Sequence, residues 1–145
     1  MNLRRLLIVP FLLSVTVALA HEGVKNAAVQ ARMDSMSEIA KSMKLLGNMA
    51  KGAAPFDAKA ANSATAIIAN EASKTASLFE AQETDPKSEA KPEIWTNFED
   101  FNRKAADMER VALEFSNSIS DLERLKTATN LIGQTCKSCH AEFRK

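Results

Sequence analysis

Cys136-Lys137-Ser138-Cys139-His140, among the last ten residues of a 145-residue chain, constrains the fold more than any other feature. On an α-helix Cys136, Cys139 and His140 stand at i, i+3 and i+4 on one face. This is the spacing by which a polypeptide binds a haem through two thioethers and presents histidine to the iron. The two thiols add to the two haem vinyls. The imidazole that follows the second cysteine is carried under the porphyrin plane, where neutral histidine is a proximal iron ligand. A haem held in this way also contributes hydrophobic core. A redox dithiol is the competing reading of Cys-x-x-Cys, but that motif opens a helix within a βαβ unit and no strand pattern precedes this one. Zinc needs further Cys or His ligands, and the remaining histidine is His21.

Haem is attached to such motifs outside the bacterial cytoplasm, so an export signal is expected. Arg4 and Arg5 form a basic start, Leu6 to Val17 an apolar run interrupted by Pro10, and Ala18-Leu19-Ala20 a small-x-small cleavage site. The pattern predicts a signal peptide over residues 1–20, cleavage leaving His21 first, and a periplasmic location. An uncleaved membrane anchor is the alternative, although the apolar run falls short of the roughly 20 residues a bilayer span needs. Removing residues 1–20 takes away two arginines and no acid, so the formal charge goes from +1 to −1 over the 125 residues left. One small domain over residues 21–145 follows. No basic surplus points to nucleic acid, and tyrosine is absent.

The apolar spacing predicts four helices with almost no β-branched alternation, hence an all-α bundle. The first runs from about Val24 to Lys51, with Val29, Met33, Met36, Ala40, Met43 and Leu46 inward, and is closed by Gly52 and Pro55. Asp57 caps the second, whose inward residues are Ala61, Ala64, Ile68, Ala72 and Phe79, an alanine content that implies close helix approach. Gln82 to Pro92 reads as a solvated crossover that places Pro92 at the start of the third helix. That helix carries the most aromatic stripe of the chain, from Ile94, Trp95, Phe98 and Phe101 to Met108 and Phe115. Ser120 to Glu123 matches a capping box and opens the fourth, with Leu122, Leu125, Ile132, Cys136 and Phe143 inward. Short links favour an antiparallel four-helix bundle with the haem near the C-terminal end of helix four, an architecture that houses cofactors between helices.

Over nearly the whole of residues 21–145 the chain resembles a class II cytochrome c, the group that includes cytochrome c′. The resemblance rests on haem attachment at the extreme C-terminus, Ala50-Lys51-Gly52 followed by Pro55-Phe56-Asp57, Ala90-Lys91-Pro92-Glu93-Ile94-Trp95, and Cys139-His140-Ala141-Glu142-Phe143-Arg144. It implies a bacterial periplasmic four-helix bundle, often a homodimer, with one covalent haem c. It also implies a choice at the sixth coordination site. Low-spin members place a methionine of the first helix on the iron, whereas five-coordinate high-spin members leave it open to nitric oxide or carbon monoxide.

In an up-down-up-down bundle the end of helix four lies beside the early turns of helix one. Met33 and Met36 are then at about the right level, and Met108 is a rival because helix three runs parallel to helix one. Met49 lies 13 residues beyond Met36, roughly 20 Å further along the axis, and Met43 is about 10 Å off. The resemblance favours Met36 as sixth ligand opposite His140; the alternative is that Met36 only packs over the haem. It also implies that Arg32 pairs with a haem propionate, against which stands a merely solvated arginine.

These expectations describe a one-electron carrier that catalyses nothing itself. Its competitor is a five-coordinate cytochrome c′ that binds nitric oxide or carbon monoxide; a peroxidase would need a distal acid-base group. Periplasmic or membrane-bound redox proteins are the expected partners, with Lys126, Lys137 and Lys145 steering an acidic one. Arg144 either tunes the proximal side or ends an exposed terminus, Trp95 and Phe98 are core, and His21 is an exposed residue or a copper ligand. A homodimer needs a spare small-residue face, for which Ala27, Ala31 and Ser35 are candidates unless they meet a neighbouring helix.

Overall fold

A computed structural model of the chain describes residues 23–145, so the expected signal peptide and His21 lie outside the described residues. The described residues form helices α1 (Ala27–Ala50), α2 (Ala58–Leu78), α3 (Glu93–Thr96), α4 (Phe98–Phe115) and α5 (Leu122–Phe143). The four long helices pack in a ring, α1 on α2, α2 on α4, α4 on α5 and α5 back on α1. The all-α four-helix bundle predicted from periodicity is the architecture observed. Among the described residues no helix is long and apolar enough to cross a membrane.

Side-chain caps set the helix starts. The Asn26 carboxamide accepts from the Val29 amide at 3.0 Å, so α1 begins at Ala27 rather than near Val24. Asp57 accepts from Ala60 at 3.0 Å and caps α2 as expected. At α5 the cap is Asp121, whose carboxylate accepts from Arg124 at 2.8 Å. The Ser120 hydroxyl donates to Asp121 instead, which replaces the predicted capping box. At the close of α1 the chain turns through Gly52 at φ 73°, a left-handed conformation that glycine adopts without Cβ strain.

The predicted third helix is broken in two. Asn97 leaves helical geometry (φ −131°, ψ 49°), separating the single turn of α3 from α4. The α3 turn is fastened to the end of α2, because the Trp95 indole donates to the Phe79 carbonyl at 2.7 Å. It therefore follows that anchor rather than the α4 axis, and asparagine tolerates the non-helical joint.

Two apolar clusters fill the bundle. The larger joins Leu46, Ile68, Phe115, Ile119, Leu125 and Ile132 at its centre. The smaller is aromatic: Phe101 meets Phe143 edge-on with centroids 5.4 Å apart and Phe79 at 5.0 Å, with Ile94 beside them. All five residues expected inward on α2 are buried. Helix α1 differs. Its buried stripe is Val29, Arg32, Ser35, Ile39, Ser42, Leu46 and Met49, while Met33, Met36 and Met43 are half-buried and Ala40 is exposed. Leu122, expected inward, is exposed in the first turn of α5. Ser35 packs inward while Ala27 and Ala31 remain exposed, so the three do not share one outer face.

Candidate functional site

The last two turns of α5 bring Cys136, Cys139 and His140 to the wall of a cavity of about 730 Å³, within the usual size of a cofactor site. Its floor and sides come from all four long helices and the crossover. Met33, Met36 and Met43 project from α1, Phe79 lies at the end of α2, Phe101 and Met108 come from α4, and residues 87–90 of the crossover close one end. Both cysteines are half-buried free thiols, and the Cys136 sulfur lies 3.9 Å from the Met108 sulfur. Cys136 abuts the larger core cluster and Cys139 the aromatic one.

The electrostatics separate the readings of the motif. Burial pushes the Cys136 thiol up and Cys139 up to about 11. A redox dithiol needs the opposite shift, toward thiolate. His140 is exposed over much of its surface, and desolvation of the part against the cavity wall, with Arg144 nearby, holds its imidazole below its usual value against the opposing effect of Glu89. Its neutral form, the one that ligates iron, is therefore favoured. Among the described residues no three His, Cys, Asp or Glu side chains gather as a metal cage.

The crossover wall is tied at both ends. Asp85 accepts from the backbone of Lys25 at 2.9 Å and Asn26 at 3.2 Å. Beyond it, Arg144 pairs with Glu89 (Nε to Oε2 2.6 Å), the Lys91 amide donates to the Phe143 carbonyl at 3.0 Å, and the Lys145 amide to the Glu89 carbonyl at 2.9 Å. Arg144 thus faces the cavity as part of an ion pair that fastens the crossover to the last turn of α5.

Arg32 is neither solvated nor free. It is 3% exposed, and donates Nε to the Leu78 carbonyl at 2.8 Å, Nη1 to Glu83 at 2.8 Å and Nη2 to Ala81 at 2.6 Å. Its guanidinium lies 4.6 Å from the Phe79 ring centroid and 5.6 Å from that of Trp95. The solvated alternative is overturned: Arg32 latches α1 to the end of α2 and the crossover. Three of its five N–H groups are used, and the side chain also lines the cavity.

Other expected residues fall in different places. Met49 is buried in the larger cluster, away from the cavity wall, while Met43, expected out of range, does reach that wall beside Gly133. Lys126 pairs with Glu123 at 2.7 Å and lies ten residues before Cys136, roughly 15 Å along the helix, so it does not belong to the cavity edge. Lys137 is exposed and the Lys145 ammonium bonds the Ser88 carbonyl at 3.3 Å. Sequence reasoning missed Lys87, Ser88, Glu89 and Lys104, all on the wall. Their positions come from tertiary ties that leave no periodic trace.

A half-enclosed, largely apolar cavity with two thiols, a neutral imidazole and cations at its rim suits a haem held by thioethers. The comparisons with known proteins agree. The model of the family described as Cytochrome C′ matches residues 27–144. Cytochrome c-556 of Agrobacterium tumefaciens (strain B2A) is 35% identical over 117 residues, 80% of this chain and 95% of that protein. The structure of cytochrome c′ from Rhodopseudomonas palustris superposes with a TM-score of 0.78 at 28% identity, covering 83% of this chain and 98% of that one. A nitric oxide complex of a mutant cytochrome c prime from Alcaligenes xylosoxidans gives a TM-score of 0.71 at 26% identity, covering 81% of this chain and 94% of that one. Thiols, histidine, cavity and bundle thus converge with the match along α1 to α5: the chain belongs to the cytochrome c′ family, the class II cytochromes c, which bind one covalent haem c.

Proposed function

We propose that this protein is a periplasmic one-electron carrier whose haem iron is ligated by His140 and Met36. The haem supplies the one-electron couple; the chain holds it, seals it and sets its axial ligands. Cys136 and Cys139 carry the thioethers, and His140 offers a neutral imidazole from the same helical face.

The observation that carries the choice of Met36 is its company. Met36 and Met43 of α1 both line the cavity and pack on the larger core cluster, as Cys136 does. Met33 lines the cavity without joining that cluster. Met108 is engaged at the Cys136 sulfur, the position of a thioether rather than of the iron. The Met43 methyl lies beside Gly133, a turn above Cys136. A thioether opposite histidine raises the potential and keeps the iron closed, which suits electron transfer. The wall that α1 presents is made of Val29, Met33, Met36, Ser37, Ile39, Ala40 and Met43, with Arg32 bound to carbonyls; it offers no acid-base group for peroxidase chemistry. Arg32 keeps two N–H groups with which to meet one haem propionate. The redox partner is a periplasmic or membrane-bound protein.

The five-coordinate reading is favoured by one fact: the relatives carry both c-556 and c′ names, and one c′ structure is a nitric oxide complex. Absorption spectra of the holoprotein, oxidised and reduced, with and without carbon monoxide, decide between them. The carrier shows sharp low-spin reduced bands and no response to carbon monoxide, and Met36→Ala converts it to high spin. Broad bands that shift with carbon monoxide in the parent, or an unchanged spectrum in Met36→Ala, overturn the assignment.

A further inference from the structure

A haem brings two propionate carboxylates, carried on the side of the ring opposite the vinyls that take the thiols. Four cations line the cavity: Arg32, Lys87, Lys104 and Arg144. Two are neutralised by carboxylates of the chain. The Lys104 ammonium lies 2.9 Å from Glu142 and 3.8 Å from Asp100, and bonds the Ser138 hydroxyl at 3.1 Å. Ser138 sits between the two cysteines, so Lys104 is also at the thioether edge, the wrong side for a propionate. Arg144 is paired with Glu89. Arg32 has two N–H groups left, enough for one carboxylate and no more.

Lys87 is different. Its backbone is fixed, because its amide donates to the Asp85 carboxylate at 2.8 Å and Asp85 is itself held by Lys25 and Asn26. The end of its side chain, at Cε, lies beside Gly23. Among the described residues no carboxylate or carbonyl holds its ammonium. It stands on the crossover, the same wall to which Arg32 is bonded through Ala81 and Glu83. A residue of the cavity wall with a fixed backbone and an ammonium that no described group holds is the arrangement that a carboxylate ligand completes.

We propose that Lys87 binds a haem propionate, so that Lys87 and Arg32 together make the crossover wall the propionate edge of the site. The proposal rests on covalent haem binding and is independent of the sixth ligand. It gives the crossover a role in holding the cofactor rather than only in joining α2 to α3.

The test compares holoprotein variants Lys87→Gln, Lys87→Arg and, as a through-space control, Lys137→Gln, which removes an exposed charge beside the haem-bearing turn. Resonance Raman propionate bending bands and the reduction potential are read for each. Lys87→Gln is expected to move the propionate band and to lower the potential, since losing a cation favours the oxidised iron. Lys87→Arg should keep both near the parent, and Lys137→Gln should leave the band in place. A propionate band unchanged in Lys87→Gln overturns the proposal; a potential shift shared with Lys137→Gln would then mean that Lys87 acts only as a distant charge.

Discussion

Arg32→Met is the perturbation whose cost the structure allows to be worked out most closely. The guanidinium makes three bonds of 2.8, 2.8 and 2.6 Å to carbonyls of Leu78, Glu83 and Ala81. Bonds from a charged donor contribute roughly 1.5–3 kcal/mol net where both partners are out of water. Ala81 and Glu83 are exposed, so water replaces the arginine there at little loss. Leu78 is half-buried, and its orphaned carbonyl costs about 1–3 kcal/mol. Losing the cation over Phe79 and Trp95 adds about 0.5–1 kcal/mol. Burial already lowers the Arg32 pKa, an unfavourable desolvation that methionine escapes, while the methionine stem keeps the apolar contacts. The balance is a loss of about 1–3 kcal/mol. Guanidinium chloride unfolding of the oxidised holoprotein, followed by helical circular dichroism and extrapolated to water, measures it. Arg32→Lys should recover about half or less, because one ammonium cannot span three carbonyls. A loss under about 0.5 kcal/mol for Arg32→Met, or full recovery by lysine, would refute the latch.

Two further outcomes follow from the bundle itself. Phe115 is fully buried at the centre of the larger cluster, so Phe115→Ala should lose about 3–5 kcal/mol in the same unfolding assay; a loss under about 1 kcal/mol would mean that the site collapses freely. The Asp121 carboxylate is held below its usual pKa first by the Arg124 amide and then by the Ser120 hydroxyl. A depressed folded value means that its stabilisation is complete above the unfolded value of about 3.9 and is lost as pH falls through the folded one. Asp121→Asn keeps the capping acceptor without the titration, so the gap between the two proteins should narrow below about pH 4; a gap independent of pH would remove Asp121 from the acid sensitivity.

Periodicity made the four long helices legible because each buries an apolar stripe, and α2 shows it most cleanly, with Ala61, Ala64, Ile68, Ala72 and Phe79 all buried. It failed where a stripe is not apolar. Helix α1 turns Arg32, Ser35 and Ser42 toward its neighbours, and a hydrophobic count passes over them. The joint at Asn97 was hidden because the apolar spacing continues through it, while the indole bond that fastens the α3 turn to Phe79 joins residues distant in sequence. At the site, the spacing of Cys136, Cys139 and His140 places all three on one wall because helical geometry alone decides it. The crossover wall was unreadable for the converse reason. Lys87 to Ala90 owe their positions to Asp85 and to the Arg144–Glu89 pair, side-chain ties with no repeat to detect.

Helix α1 explains why the cavity lies where it does. Its buried stripe, with the small Ser35 and Ser42 in it, closes against its neighbours, and alanines at 61, 64, 69 and 72 let α2 come near without leaving room for a cofactor. Met33, Met36 and Met43 lie beside that stripe on the cavity side, where unbranched thioethers fit a curved apolar surface. A volume of about 730 Å³ is far beyond the small voids that packed interiors tolerate. A haem there covers the apolar walls that Met36, Phe101 and Met108 present, so it is part of the core that this sequence specifies. Attachment through two thioethers makes that part of the core permanent.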